Sequence, residues 1–420
     1  MRQMKDSKIE WVGEIPENWE VKRIASFYSL RNQKVSDKEF PPLSVTKKGI
    51  LPQLDTAAKS DDSDNRKLVC IGDFAINSRS DRRGSCGISE FTGSVSLINI
   101  VLQPKGEMQN KYYNWLFHTE QFADEFYKWG NGIVDDLWTT RWQNMKRITI
   151  PVPPLLEQKE IAEYLDEKCG EIDALLADIK DEIETLEQYK RSVITESVTK
   201  GLHPSAPMKN SGIEWLGDQP IHWEDFKGKY IFKQRNERGN QIELQLLSPT
   251  QNYGVIPQTL YEELSGMSAV KLNENINLSI LKTIDKGDFC ISLRSFQGGF
   301  EYSQYEGVVS PAYQVFYPIK KVFDGYYKYL FKEKSFIAVM NSYTLSLRDG
   351  KNIAFSDFGN TLIPYPPLSE QQEIAEYLDK KCAEIDAVIS DKQTEIQTLE
   401  SYKKSLIYEY VTGKKEVKRA

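Results

Sequence analysis

The chain has 420 residues, of which 11% are aromatic and 27% charged, with a formal net charge of −7. That length supports two or more domains with real cores, and the composition is globular, which excludes a largely disordered chain. The start MRQMKDSKIEW has no apolar signal region and no run approaches a membrane span. Five scattered cysteines without a CxxC, and three histidines outside helical spacing, argue against a disulfide framework, a zinc knuckle and a histidine-based metal or triad site. The expectation is a cytoplasmic protein with no membrane partner and no metal.

In chain order, the first signal is the opening phrase SKIEWVGEIPENWE at 7–20. A body follows at 20–150, built from short strand-like runs and turns. Within it, SVTKKG offers Thr46, Lys47 and Lys48; the Gly/Ser-rich NSRSDRRGSCG places Arg79, Arg82 and Arg83 after a strand; and WGNGIVDDLWTTRWQN supplies Arg141 and Gln143. Arg and Lys suit guanine edges and phosphates, and Asn and Gln suit adenine edges, so these clusters are candidate DNA contacts. The aromatics of YYNWLF at 112–117 read as helix core rather than base-stacking platforms.

Then comes PPLLEQKEIAEYLDEK at 153–168, opening a long amphipathic run. Leu165, Ile172, Ile179, Leu186 and Val193 fall seven residues apart, with Ile161, Cys169, Leu175, Leu176, Ile183 and Tyr189 beside them. A stripe lasting about 40 residues, or about 60 Å, is longer than one small domain covers and predicts a coiled coil. Gly201 is the expected C-terminal stop.

The chain then begins again. SGIEWLGDQPIHWE at 211–224 answers the opening phrase, and PPLSEQQEIAEYLDKK at 366–381 answers the helix start. Residues 153–190 and 366–403 share 26 identities in 38 positions. Between these anchors LSVTKKGILPQ pairs with LSPTQNYGVIPQ, GDFAINSRS with GDFCISLRS, and YYNWLF with YYKYLF. The second body offers Thr250, Gln251, Asn252, Arg294, Gln297, Arg348 and Lys351 as the corresponding contacts. In the second helix Leu378, Ile385, Leu399 and Leu406 repeat the seam, interrupted by Lys392; Ser369 with Gln372 matches a capping box that Leu156 cannot form, and Gly413 is the stop. Cys169 and Cys382 fall at equivalent helical positions and read as small core residues.

The chain is thus two copies of one plan, with near-constant frames around dissimilar bodies. The simplest partner for one helix is the other, paired antiparallel. That predicts bodies at opposite ends of a rod with approximate two-fold symmetry, neighbouring termini, and the opening segments docking at equivalent places. The net charge divides unevenly. Residues 153–200 hold 6 basic and 13 acidic residues, and 366–412 hold 5 and 10, whereas the bodies hold 19 against 16 (20–150) and 16 against 15 (224–363). An acidic spacer with two faintly basic heads can approach phosphate where a uniformly acidic protein would not. There is no GxxxxGK[ST] loop, no GxGxxG after a strand and no Asn/Asp-Pro-Pro-aromatic tetrapeptide. The expectation is a chain without chemistry of its own.

The order body, PPLxEQxEIAEYLD helix, body, PPLxEQxEIAEYLD helix, with IEWxGxxPxxWE and the GDFxIxxRS…GxVSPAY run at 287–313, resembles the specificity subunit of type I restriction-modification enzymes. The likeness spans 7–412, and body one departs from it at GSVSLIN (93–99), which lacks the Pro-Ala-Tyr. The resemblance implies an α+β chain: target-recognition domain 1 over 1–152, a first spacer helix over 153–200, target-recognition domain 2 over 201–365, a second spacer helix over 366–412 and a basic tail over 413–420. The two helices would form an antiparallel coiled coil. It implies double-stranded DNA as a partner, read as a bipartite asymmetric target with one half-site per domain. Two methyltransferase subunits would dock on the helices, joined by motor-nuclease subunits. S-adenosylmethionine, ATP and Mg²⁺ would then act through those partners, with none bound by this chain. The competing expectations are the specificity subunit of a related Type II-like enzyme and a coiled-coil scaffold that ignores DNA.

Overall fold

Short strands punctuated by glycine and proline, followed by one long amphipathic run, dictate the order of elements in each half. The computed structural model describes residues 2–53, 64–132, 138–239, 244–266, 280–291, 299–343 and 353–417. It divides into two compact units, residues 1–180 with 392–420 and residues 181–391. Each unit holds one body, one opening segment and a stretch of both long helices. The long helices run Leu155–Lys200, 46 residues, and Leu368–Val411, 44 residues.

The bodies, so different in sequence, share one topology. In body one a four-stranded antiparallel sheet runs in the order Cys86–Ile88, Phe74–Asn77, Asn99–Pro104, Tyr28–Leu30. In body two the same order is Phe300–Tyr302, Phe289–Ile291, Gln314–Pro318, Phe232–Arg235. Each sheet packs on a helix pair, Asn110–Phe117 with Glu120–Lys128 and Asp324–Leu330 with Lys334–Ser342. Phe74, Phe117 and Phe122 fill one core, and Phe232, Phe289, Phe316 and Phe331 the other. A strand pair closes each body: Glu20–Arg23 against Thr149–Val152, and Glu224–Lys227 against Leu362–Tyr365.

The repeated Gly-Asp-Phe has a local cause. Gly72 (φ 84) and Gly287 (φ 95) turn the chain through the left-handed region. The next residue, Asp73 or Asp288, is buried and pairs with the guanidinium of Arg31 or Arg235, at 2.5 and 2.6 Å. The Asp73 carboxylate also accepts from the Cys70 amide and the Asp288 carboxylate from the Asp285 amide. A buried carboxylate is tolerable when paired and hydrogen-bonded in this way.

The helix phrase is explained position by position within each unit. Gln158 donates to the Pro153 carbonyl (2.8 Å) and accepts from the Gln109 amide (2.9 Å); Gln371 does the same with Pro366 and Phe323. The expected capping box at Ser369 is therefore corrected. Ser369 lies inside the helix and Gln372 donates forward to Glu376, so both helix starts are held by the same glutamine and the Leu156/Ser369 difference is immaterial. Asp166 accepts from Trp115 and Lys111, and Asp379 from Tyr329 and Lys328.

Inside each unit the helix stretches run antiparallel. In the first, Tyr164 meets Tyr410 and Lys403 bonds Asp173 at 2.5 Å, so as one number rises the other falls. In the second, Lys190 bonds Asp386 at 2.6 Å and His203 lies 3.8 Å from Glu373. Leu165, Ile172, Ile179, Val193, Leu378, Ile385 and Leu406 are buried, while Leu186 and Leu399 are half-buried. Leu175 and Tyr189, expected beside the seam, are exposed. Steps of four and three from Ile161 through Leu165, Cys169, Ile172 and Leu176 select Leu176 over Leu175. The same steps carried forward put Lys190, not Tyr189, against the second helix.

Both helices stop at a left-handed glycine, Gly201 (φ 76) and Gly413 (φ 73). The last carbonyls are closed by the paired tyrosines, which are buried core as expected. Tyr112 Oη donates to the Val411 carbonyl at 2.8 Å, and Tyr326 Oη to the Val198 carbonyl at 2.7 Å. Tyr112→Phe and Tyr326→Phe should each destabilise their own unit by about 1–2 kcal/mol, because a buried acceptor loses its donor. Urea unfolding checks this, and an unchanged midpoint would show that another donor replaces the phenol.

Candidate nucleic-acid interface

A two-stranded hairpin packs on the sheet of each body. In body one Leu43–Thr46 pairs with Gly49–Pro52, and in body two Leu247–Thr250 with Gly254–Pro257. The same threonine closes each tip. Thr46 Oγ1 donates to the Gly49 carbonyl and accepts from the Lys48 amide; Thr250 Oγ1 donates to the Gly254 carbonyl and accepts from the Tyr253 amide. These hydroxyls are committed inside the turn, as Ser/Thr turns require. What each tip presents to solvent is Lys47 and Lys48 in one body, and Gln251, Asn252 and Tyr253 in the other.

The second cluster of body one follows the strand Phe74–Asn77. Arg79, Arg82 and Arg83 are all exposed. Asn77 Oδ1 accepts from the Arg79 amide, and Arg79 bridges Thr139, while the Thr140 amide donates to the Ser78 carbonyl. These bonds bring the arginine loop against the segment leading to Arg141 and Gln143, both exposed at the start of the short helix Trp142–Met145. Arg82 lies 3.6 Å from Asp81. Arg83 is paired with Asp124 and lies over the Tyr127 ring, so its charge is already partnered. Lys47, Lys48, Arg79 and Arg141 form no ion pair among the described residues.

Lys47 and Arg83 line one open cleft, and Arg79 and Arg83 line an adjoining cavity with Tyr127 and Trp138. The structure therefore gathers the hairpin lysine and the arginine loop on one face of body one. In body two Thr250, Gln251 and Asn252 are placed as above, and Arg294, Gln297, Arg348 and Lys351 lie outside the described residues.

Sequence reasoning missed the latches that seat the opening segments. Trp19 Nε1 donates to Glu157 at 2.7 Å, and Trp223 Nε1 to Glu370 at 3.0 Å. Arg2 and Asn18 join the first latch and His222 the second. Burial pushes the Glu157 carboxyl up, but the donors from Arg2, Trp19 and Asn18 outweigh it and hold the group below the ordinary glutamate range. The recurrence of both Trp and Glu in both copies was the available signal. Trp11 packs edge-on against Phe122 and Trp215 against Phe336, so the two opening segments dock equivalently in their units.

No helix among the described residues is long and apolar enough to cross a membrane, and no cluster of metal-ligating side chains forms among them. Comparison with known proteins adds the family. The model of the type I restriction modification DNA specificity domain matches twice, over residues 16–185 and 220–398. The type I restriction enzyme MjaVIII specificity subunit of Methanocaldococcus jannaschii is 27% identical over 96% of this chain and 94% of its own length. The MjaX specificity subunit of the same organism, a provisional designation, is 24% identical over 97% and 96%. Among solved structures, a chain from a study of complex assembly and conformational transition of the type I R-M system aligns with TM-score 0.69 at 13% identity, covering 94% of this chain and 98% of that one. The HsdS subunit of Thermoanaerobacter tengcongensis aligns with TM-score 0.51 at 15% identity over 95% and 98%. With both halves matched and both hairpin-bearing bodies in place, the chain belongs to the type I restriction-modification specificity subunits and carries two target-recognition domains.

Proposed function

We propose that each body reads one half of a bipartite, asymmetric DNA target, and that the long helices hold two methyltransferase subunits and set the gap between the half-sites. Methyl transfer and cleavage belong to the methyltransferase and motor-nuclease partners, which bring S-adenosylmethionine, ATP and Mg²⁺; this chain supplies the address. Hairpin tips bearing Lys47 and Lys48 in one body and Gln251 and Asn252 in the other suit different base edges. Arg79, Arg82 and Arg141 supply charge for phosphates beside the first tip.

One observation carries the reading: the two copies are identical at helix positions that face solvent. Ala174 and Ala387, Asp178 and Asp391, and Tyr189 and Tyr402 occupy equivalent positions and are exposed, the tyrosines by 49% and 54%. A doubled outward surface suits a doubled partner, and an exposed aromatic suits an interface anchor. Dissimilar bodies on that frame suit dissimilar half-sites.

The test is methylation mapping of a host genome with and without the chain. The expected result is one motif of two dissimilar blocks around a fixed gap, absent without the chain. A continuous or palindromic motif, or an unchanged methylome, would refute the reading.

A further inference from the structure

The two bodies differ at one buried place beneath the recognition hairpin. In body one that place is Gly87, opposite Ala75 on the neighbouring strand. A Cβ there would stand 2.8 Å from Gly49 Cα, so the hairpin backbone rests directly on the sheet. In body two the equivalent residue is Glu301, opposite Cys290, only 2% exposed. Its Oε1 accepts from Lys332 Nζ at 2.7 Å, and its Oε2 is buried without a hydrogen bond. Lys332 follows YYKYL–Phe331 where His118 follows YYNWL–Phe117, and His118 instead contacts the Asn114 carbonyl through Nδ1.

Lys332 Nζ also lies 3.5 Å from the carbonyl of Gln251, the first residue of the hairpin tip. The hairpin stays close at its other side. A Cβ on Gly254 would stand 2.7 Å from the Tyr302 carbonyl, and Val255 bridges Ser303. Glu301, Lys332 and the tip therefore form one stack, with the ammonium between a buried carboxylate and the backbone that presents Gln251 and Asn252. Burial pushes the Glu301 carboxyl up to about 7, and the Lys332 ammonium pulls it back toward the charged form.

We propose that Glu301 and Lys332 are positioning residues for specificity in the second domain only: the carboxylate fixes the ammonium, the ammonium fixes the Gln251 carbonyl, and the tip is thereby aimed at its bases. This rests on the reading of body two as the reader of one half-site. Body one has no counterpart, which makes the first half-site an internal control.

The experiment maps methylation in cells carrying the full-length chain, with the body-two half-site assigned by exchanging the bodies. The paired change Glu301→Gln with Lys332→Met removes both charges and so leaves no lone buried ion. It should raise methylation at sites departing from the second half-site about tenfold, with the first half-site unaltered. Lys332→Arg, which keeps a cation for both acceptors, should retain the wild-type motif. Glu301→Gln alone should relax the second half-site partially, and it decides the matter if the paired variant fails to fold. A folded variant with an unaltered second half-site, or equal relaxation in both halves, overturns the proposal. If the wild-type chain yields no bipartite motif, the proposed function fails and takes this inference with it. A bipartite wild-type motif with unmoved variants sinks the inference alone.

Discussion

Replacing residues 224–363 with the body of a related specificity subunit should recode one half of the methylated motif and leave the other half unchanged. The physical ground is where the body enters and leaves its frame. Glu224–Lys227 and Leu362–Tyr365 are hydrogen-bonded neighbours, with Glu224 opposite Tyr365, so both cuts fall on one ladder and no long connection is severed. Most hydrogen bonds that tie body to frame come from one segment, joined by Thr195 Oγ1 donating to Glu333 and by Trp215 packed on Phe336. The Phe323 amide binds Gln371, Tyr326 binds the Val198 carbonyl, and Lys328 and Tyr329 bind Asp379. Body one uses the Gln109 amide, Tyr112, Lys111 and Trp115 on the matching residues. An incoming body that keeps these groups, together with the apolar side chains that share a core with Val198, Trp223, Ile374 and Leu378 of the frame, should seat on it without loss of fold. Recoding of both halves would show that the bodies read jointly. A folded chimera that methylates nothing would show that the seat on the frame demands more than these contacts.

How much of this was legible in advance follows the range of the forces involved. The long helices are legible because a three-four stripe sustained over tens of residues has no other solution, and the doubled plan because whole phrases recur. Leu175 and Tyr189 fall outside the seam because the alternating steps of four and three reach Leu176 and Lys190, whereas apolar character alone favours Leu175 equally and Tyr189 over the lysine. The Ser369 capping motif fails because a local signal was outcompeted by Gln371, whose partners include an amide 48 residues away. Exposure of Lys47, Lys48, Gln251 and Asn252 follows from turn chemistry that the sequence displays. The Glu301–Lys332 pair does not, because residue 301 meets residue 332 only after the sheet and the helix pair have formed. Nothing local separates a glutamate in a short strand from a solvated one.

Gly413→Ala should be strongly destabilising in the first unit, and Gly201→Ala a mild change in the second, although the two glycines end equivalent helices. Both have a positive φ, 73 and 76, so each alanine incurs the left-handed cost of about 1–2 kcal/mol. Their surroundings differ. At Gly201 a Cβ would lie 3.3 Å from Trp223 Cζ2, a contact the ring edge can relax by a few tenths of an ångström. At Gly413 it would lie 2.4 Å from Pro16 Cδ and 2.9 Å from Trp19 Cη2. Neither neighbour can yield cheaply, because Trp19 is fully buried and latched to Glu157, and Pro16 sits in the strand paired to Met4–Asp6. Overpacking of that kind adds about 1–3 kcal/mol, giving about 2–5 kcal/mol for Gly413→Ala. Gly106→Ala calibrates the comparison, with φ 77 and nothing within 4 Å of the added carbon, so it reports the backbone cost alone. Hydrogen exchange at residues 2–20 and 405–413 should accelerate in Gly413→Ala and stay unchanged in Gly106→Ala. Equal losses at all three glycines would mean that the opening segment shifts freely on the helix end, and that the tryptophan latch does not hold it.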